Sequence, residues 1–150
     1  MEKEIRNFGT IDSTKESRHI EGYALVFDTE SRDLGGFTEK IDKDALDGLI
    51  EKSDVFCLLN HDESRGVLAR SNMGEGSLKL EVDERGLKYS FDAPNTALGD
   101  ELLEAIKRKD ITSSSFGFRC KEDKWEKRSD GSYLRTIKKF DKLFDVSPVY

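Results

Sequence analysis

Apolar residues come in short runs along this chain, and most runs alternate with polar positions at the two-residue period of a half-buried strand. Leu78, Leu80 and Val82 alternate with Lys79 and Glu81. After the turn signal Glu84-Arg85-Gly86, Leu87, Tyr89 and Phe91 alternate with Lys88, Ser90 and Asp92, so the pair predicts a β-hairpin. Residues 18–27 predict an earlier strand in which Gly22 marks a bend or bulge. A polar, glycine-rich loop follows over 29–36, then strands over 37–41 and 55–61, with 66–70 returning antiparallel to the latter. Two segments carry helical spacing instead. In 42–51, Asp42 caps a turn whose apolar side is Ala45, Leu46, Leu49 and Ile50. In 96–109, Leu98, Leu102, Leu103 and Ile106 recur at helical intervals behind a Thr96 or Asn95 cap, with acids at the start and Lys107-Arg108-Lys109 at the end. Strands over 111–125, 132–139 and 144–149 complete the chain, with a turn at Ser129-Asp130-Gly131. Many strands with two inserted helices predict a mainly β, α+β fold: an antiparallel β-barrel or strongly curved sheet with helices packed outside.

The composition narrows the function classes. At 150 residues the chain is one domain by length, large enough for a real core. The net charge of −6 argues against a nonspecific nucleic-acid binder. No stretch has the length and apolarity needed to span a bilayer, and the start, Met1-Glu2-Lys3-Glu4, is charged with no apolar run behind it. The expectation is therefore no membrane partner, no nucleic acid and a cytoplasmic site of action. The two cysteines, Cys57 and Cys120, are too few for a disulfide framework and read as free thiols.

Candidate chemistry concentrates in three places. The segment Ile111-Thr112-Ser113-Ser114-Ser115-Phe116-Gly117-Phe118 reads as a strand. Its alternation puts Ser114, Phe116 and Phe118 on one face and Ser113, Ser115 and Gly117 on the other. If the aromatics seek the core, Ser115 faces away from it, beside a glycine whose missing side chain leaves room for a substrate backbone. A solvated strand of small polar residues fits the same pattern. The chain has two histidines; one, His61, ends the run Val55-Phe56-Cys57-Leu58-Leu59-Asn60 among polar neighbours. It suits a general base within reach of a serine, and equally a histidine that caps a neighbouring carbonyl. Asp145 sits in Leu143-Phe144-Asp145-Val146, where a buried carboxylate needs a partner. That partner is either a histidine to orient or a lysine such as Lys142, and His19 is a second candidate for the third member. Phe144 and Val146 should point inward and Asp145 the opposite way. Cys57 is no nucleophile for His61, since four residues along a strand separate them by ~13 Å. No His-x-x-x-His or Cys-x-x-Cys spacing supports zinc, no cofactor motif is present, and no Gly-x-Ser-x-Gly elbow supports an α/β-hydrolase.

Taken in order, Ile20-Glu21-Gly22-Tyr23-Ala24-Leu25-Val26-Phe27, Leu58-Leu59-Asn60-His61-Asp62, Gly86-Leu87, Ile106-Lys107-Arg108-Lys109-Asp110, Ser115-Phe116-Gly117-Phe118 and Phe144-Asp145-Val146-Ser147 resemble the prohead (procapsid maturation) proteases of tailed bacteriophages. The resemblance covers almost the whole chain as one protease domain. It implies a β-barrel ringed by helices like that of the herpesvirus assembly proteases. The implied activity is serine endopeptidase cleavage of scaffold or major capsid protein segments, and of the enzyme itself, inside the immature procapsid in the host cytoplasm. It also implies Ser115 as nucleophile with Ser113 as fallback, His61 as base and Asp145 as the acidic third member, often a glutamate in the family. By analogy it implies a homodimer. Family members usually continue past the point matching Tyr150 into a less ordered tail, so the expectation is a trimmed or processed form. Two other readings stay open: a non-catalytic assembly module whose barrel binds scaffold, and a serine esterase. The oxyanion donors are left between the Ser64-Arg65-Gly66 loop and the backbone near Gly117.

Overall fold

The computed structural model describes residues 2–13 and 17–150. In chain order the strands are β1 (Lys3–Thr10), β2 (Asp12–Ser13), β3 (His19–Val26), β4 (Phe37–Ile41), β5 (Asp54–Cys57), β6 (Ala69–Asn72), β7 (Glu75–Gly76), β8 (Lys79–Val82) and β9 (Gly86–Asp92). Helix α1 (Ala97–Arg108) follows, then the long strands β10 (Ser113–Lys127) and β11 (Tyr133–Val149). The fold is mainly β, as expected. Its strands form two sheets: a seven-stranded one ordered β1-β10-β11-β5-β6-β7 with β4 also on β11, and a four-stranded one ordered β2-β3-β9-β8. The pairing among the described residues closes neither sheet into a barrel, and β11 runs parallel to both β4 and β5, so the sheet is not purely antiparallel.

The two sheets face each other across one core. Ile20, Leu25, Leu87 and Tyr89 enter it from the smaller sheet, and Phe116, Phe118, Ile137, Leu143 and Val146 from the larger one, all fully buried. Rings of Phe118 and Phe140 stack at 4.7 Å between centroids. The chain passes between sheets at β1 and β2, and this crossing is tight. A Cβ on Gly9 would stand 2.1 Å from the Tyr23 carbonyl oxygen, and one on Gly22 2.1 Å from that of Thr10. Glycine is the residue that allows such backbone contact.

Several elements follow the predicted pattern. The β8–β9 hairpin forms with Leu87, Tyr89 and Phe91 buried. In α1, Thr96 Oγ1 accepts from the Gly99 amide at 3.2 Å, and Leu102 and Ala105 are buried. The C-cap Lys109 is left-handed, with φ of 66°. The helix expected over 42–51 is not there. Those residues make successive tight turns, with Ala45 N–H donating to Asp42, Asp47 to Asp44 and Leu49 to Leu46, and end in a 3₁₀ turn at Ile50–Lys52. Gly48 at φ +67° breaks any helical continuation, while Ala45 and Leu46 still reach the core. So α1 is the single α-helix among the described residues. The two strands expected over 132–149 are one, because register shifts near Cys120 and at Phe118 absorb the polar middle without breaking the ladder. The charged N-terminal residues, which carry no strand signal, form β1 and pair with β10 from Arg119 to Ser113.

Candidate active site

Three segments converge on one corner of the larger sheet. Ser115 lies in β10, paired with Asn7 of β1 on one side and Ser147 of β11 on the other. Asp145 lies two residues earlier in β11, opposite Gly117. His61 is not on a strand, contrary to the expectation. β5 stops at Cys57, and the chain turns over Leu59–His61 with Asn60 at φ 55° and His61 at φ 60°. Left-handed conformations are accessible to Asn and His more readily than to most residues, and strained backbone of this kind clusters at functional sites. The turn carries the imidazole off the end of β5 and over β10 and β11.

The imidazole links the other two groups. Its Nδ1 is in short contact with Asp145 Oδ2, and its Nε2 lies 2.7 Å from Ser115 Oγ. A carboxylate only accepts, so Nδ1 donates to Asp145 and Nε2 is left to accept from serine. The Ser115 hydroxyl has one proton and a second acceptor, the Arg6 carbonyl oxygen at 2.8 Å. Ser115 is 1% exposed and Asp145 2%. A carboxylate buried this deeply is costly unless compensated. Asp145 Oδ2 has two donors, His61 and the Ser147 hydroxyl at 2.6 Å. Oδ1 has no hydrogen-bond partner among the described residues, and the Lys3 ammonium is 3.9 Å away.

Gly117 has a different role from the expected one. A Cβ there would stand 2.4 Å from Asp145 Oδ1, with Lys3 Cε at 3.0 Å. The missing side chain makes room for the aspartate, not for a substrate backbone. Phe144 also departs from expectation. Gly117 pairs with Asp145 but Phe118 with Leu143, so Phe144 is the extra residue of a bulge. Its ring is half-buried and has the Lys3 and Lys142 ammonium groups 4.9 and 4.8 Å from its centroid. Leu143 and Val146 take the core positions.

The remaining candidates fall away from the corner. His19 sits on β3 in the other sheet, 3.1 Å from Asp92 and 3.5 Å from Glu21. Ser113 is paired with Val149, and the His61 ring bonds Ser115 instead. Ser114 points inward, within 2.5 Å of the Tyr89 hydroxyl and donating to the Thr10 carbonyl at 2.7 Å. Cys57 is fully buried, and burial, with the Asp145 charge adding to it, pushes its thiol well above the usual range. Such a thiol is a core filler and not a nucleophile. In the 64–66 loop, the Ser64 amide donates to Asp62 at 3.0 Å and the Gly66 amide to the Glu63 carbonyl at 3.1 Å, so neither is available as an oxyanion donor in this conformation. Sequence reasoning gave Ser147 no role, although residues two apart on a strand share a face and Asp145 was already singled out.

A cavity of about 240 Å³ opens on the far side of the histidine, lined by His61, Asp145, Lys3, Phe56, Lys142 and Phe144 among others. It shares Asp54 and Lys142 with a larger groove of about 860 Å³ between the 44–54 turns and the middle of β10 and β11.

The comparisons with known proteins bear on this corner. The sequence matches none of the curated proteins with which it was compared. Among solved structures, the bacteriophage T4 capsid assembly protease, gp21, is similar over 99% of this chain and 97% of its own, with a TM-score of 0.57 and 13% sequence identity, a likeness of fold. The family model described as caudovirus prohead serine protease matches residues 6–150, a span that contains His61, Ser115 and Asp145. The chain therefore belongs to the caudovirus prohead serine protease family.

Proposed function

We propose that this prohead protease is a serine endopeptidase that cleaves scaffold or major capsid protein segments, and itself, during procapsid maturation, with Ser115, His61 and Asp145 as its catalytic residues. The observation that carries the reading is the unbroken hydrogen-bonded line Ser115–His61–Asp145, assembled from three separate segments. Ser115 Oγ attacks the scissile carbonyl carbon as His61 Nε2 takes its proton. Asp145 holds the imidazole in the tautomer that leaves Nε2 free and stabilises the imidazolium that forms. The same proton then passes to the leaving amine, and water repeats the sequence on the acyl-enzyme. In this conformation Ser115 is 1% exposed, so substrate entry requires the His61 turn or the β1 edge to yield. The groove that joins the smaller cavity at Asp54 and Lys142 offers an extended peptide a path as far as His61 and Asp145.

The test is co-expression of the chain with the phage's major capsid and scaffold proteins, followed by mass-spectrometric mapping of new termini. Discrete new termini with the native chain and none with Ser115→Ala are expected. Intact partners in both, with the chain bound to them, would replace the reading with a non-catalytic assembly module.

A further inference from the structure

Asp145 is held by an asymmetric set of neighbours. Both of its hydrogen bonds fall on Oδ2, one from His61 and one from Ser147. Oδ1 has no hydrogen-bond partner among the described residues and looks toward the Lys3 ammonium at 3.9 Å across the space left by Gly117. A carboxylate can turn about its own bond. Lys3 draws it toward the strand edge, and without Ser147 only His61 would oppose that pull. Ser147 is the second tether. Its hydroxyl is fully buried, donates at 2.6 Å, and lies on the strand position directly opposite Ser115.

We propose that Ser147 is a positioning residue of this site: its hydroxyl fixes the Asp145 carboxylate on His61 against the pull of Lys3. The proposal rests on the triad reading above and adds a fourth member, acting through Asp145 and touching no substrate. Hydrogen bonds of this kind to a group that orients a catalytic side chain carry weight because small misplacements at a reacting centre are amplified in rate. The neighbouring serine Ser114, in contrast, bonds Tyr89 and the Thr10 carbonyl in the core.

The test is a double-mutant cycle read with a fluorophosphonate probe, using the second-order rate constant for labelling Ser115. Ser147→Ala should slow labelling roughly 10- to 100-fold in the native chain, the scale seen when a hydrogen-bond partner that orients a metal-binding side chain is removed. In an Asp145→Ala background the same substitution should change the rate less than about threefold, because the residue through which it acts is gone. Ser147→Thr, which keeps the hydroxyl, should recover most of the rate. Equal losses in both backgrounds, or full labelling by a folded Ser147→Ala chain, would overturn the role. The second readout is independent of activity. With only two histidines present, the His61 Nδ1 proton is assignable by comparison with His19→Gln. It should move upfield in Ser147→Ala as its hydrogen bond to Asp145 loosens; an unmoved resonance overturns the proposal even if the native chain fails to react with the probe. Failure of that reaction alone counts against the protease reading.

Discussion

Two buried carboxylates lie close to strand β1, and they are treated in opposite ways. Glu39, 4% exposed, has both oxygens engaged: Oε1 accepts from Arg6 at 2.7 Å, and Oε2 from Arg6 at 3.1 Å and from Arg135 at 3.2 Å. Arg135 in turn bonds Glu4 and Asp123, and its side chain is 9% exposed. Every partner there is a permanent cation on a planar fork. Asp145, just as buried, faces an imidazole and a hydroxyl, with one oxygen left without a hydrogen bond. Its one permanent cation among the described residues is the half-exposed Lys3 ammonium, 3.9 Å from Oδ1 and too far for a hydrogen bond. The first cluster clamps β1 to β4 and β11. The second keeps an unspent electrostatic demand, which is what a group that stabilises a transient imidazolium requires. Under the proposed mechanism, the comparison separates charge used for stability from charge used for chemistry within one sheet.

Breaking the second region should cost rate and leave the fold. Ser115→Ala should lower proteolysis by about 10⁴- to 10⁶-fold, the scale seen when a triad nucleophile is removed, with the melting temperature little changed. Asp145→Asn keeps the shape but removes the charge and favours the wrong tautomer; a loss in kcat on the order of 10²- to 10⁴-fold is expected, checked by single-turnover cleavage of a mapped site. Near-normal kcat in a folded variant would reduce Asp145 to a structural acid.

Breaking the first region should do the reverse. Glu39→Gln leaves Arg6 and Arg135 sharing Glu4, with Asp123 also on Arg135, so the destabilisation should fall below the about 3–5 kcal/mol typical when a buried charge is left with no partner. Denaturant unfolding should show that loss, while the folded fraction keeps its specific activity. Gly117→Ala sharpens the boundary between the regions. Its new methyl, 2.4 Å from Asp145 Oδ1, must displace a carboxylate held by two hydrogen bonds. A shift near 1 Å at a reacting centre costs up to about 10²-fold, so activity should fall further than stability.

The smallest effect concerns acid. Burial works against the Glu4 charge, but hydrogen bonds and charge from Arg135 and Arg6 outweigh it and hold its carboxyl below the ordinary value of 4.5. A group whose value is lower folded than unfolded stabilises fully above the unfolded value and loses that contribution as pH falls through the folded one. Thermal melts should therefore show the native chain losing stability below about pH 4.5, with Glu4→Gln flatter over that range. Parallel curves would remove Glu4 from the clamp.

Much of this was legible in the residues, and the exceptions have physical causes. The β8–β9 hairpin and α1 follow directly from period and capping, since neither depends on a distant partner. Local motifs and the family resemblance singled out His61, Ser115 and Asp145, and the fold brings them together although Ser115 and Asp145 lie 54 and 84 residues after His61. The turn at 42–51 misled because its apolar spacing is helical while Gly48 takes a left-handed conformation. The end of β5 misled because Asn60 and His61 leave the extended region, and nothing in their apolar approach marks it. Phe144 was assigned inward because a bulge shifts alternation by one residue, and a bulge is set by the partner strand. The close approach of Gly117 to Asp145 exists only across the β10–β11 register, which single-strand patterns do not encode, whereas the Ser147–Asp145 hydrogen bond lies within one strand at the two-residue spacing.

The central claim is that Ser115 is a nucleophile activated by His61, and covalent labelling tests it most directly. The native chain treated with a fluorophosphonate should gain one adduct, mapped by peptide mass spectrometry to Ser115, and His61→Ala should leave that serine unmodified in a folded protein. An adduct on Ser113 or elsewhere, or unchanged labelling of Ser115 without His61, would contradict the account.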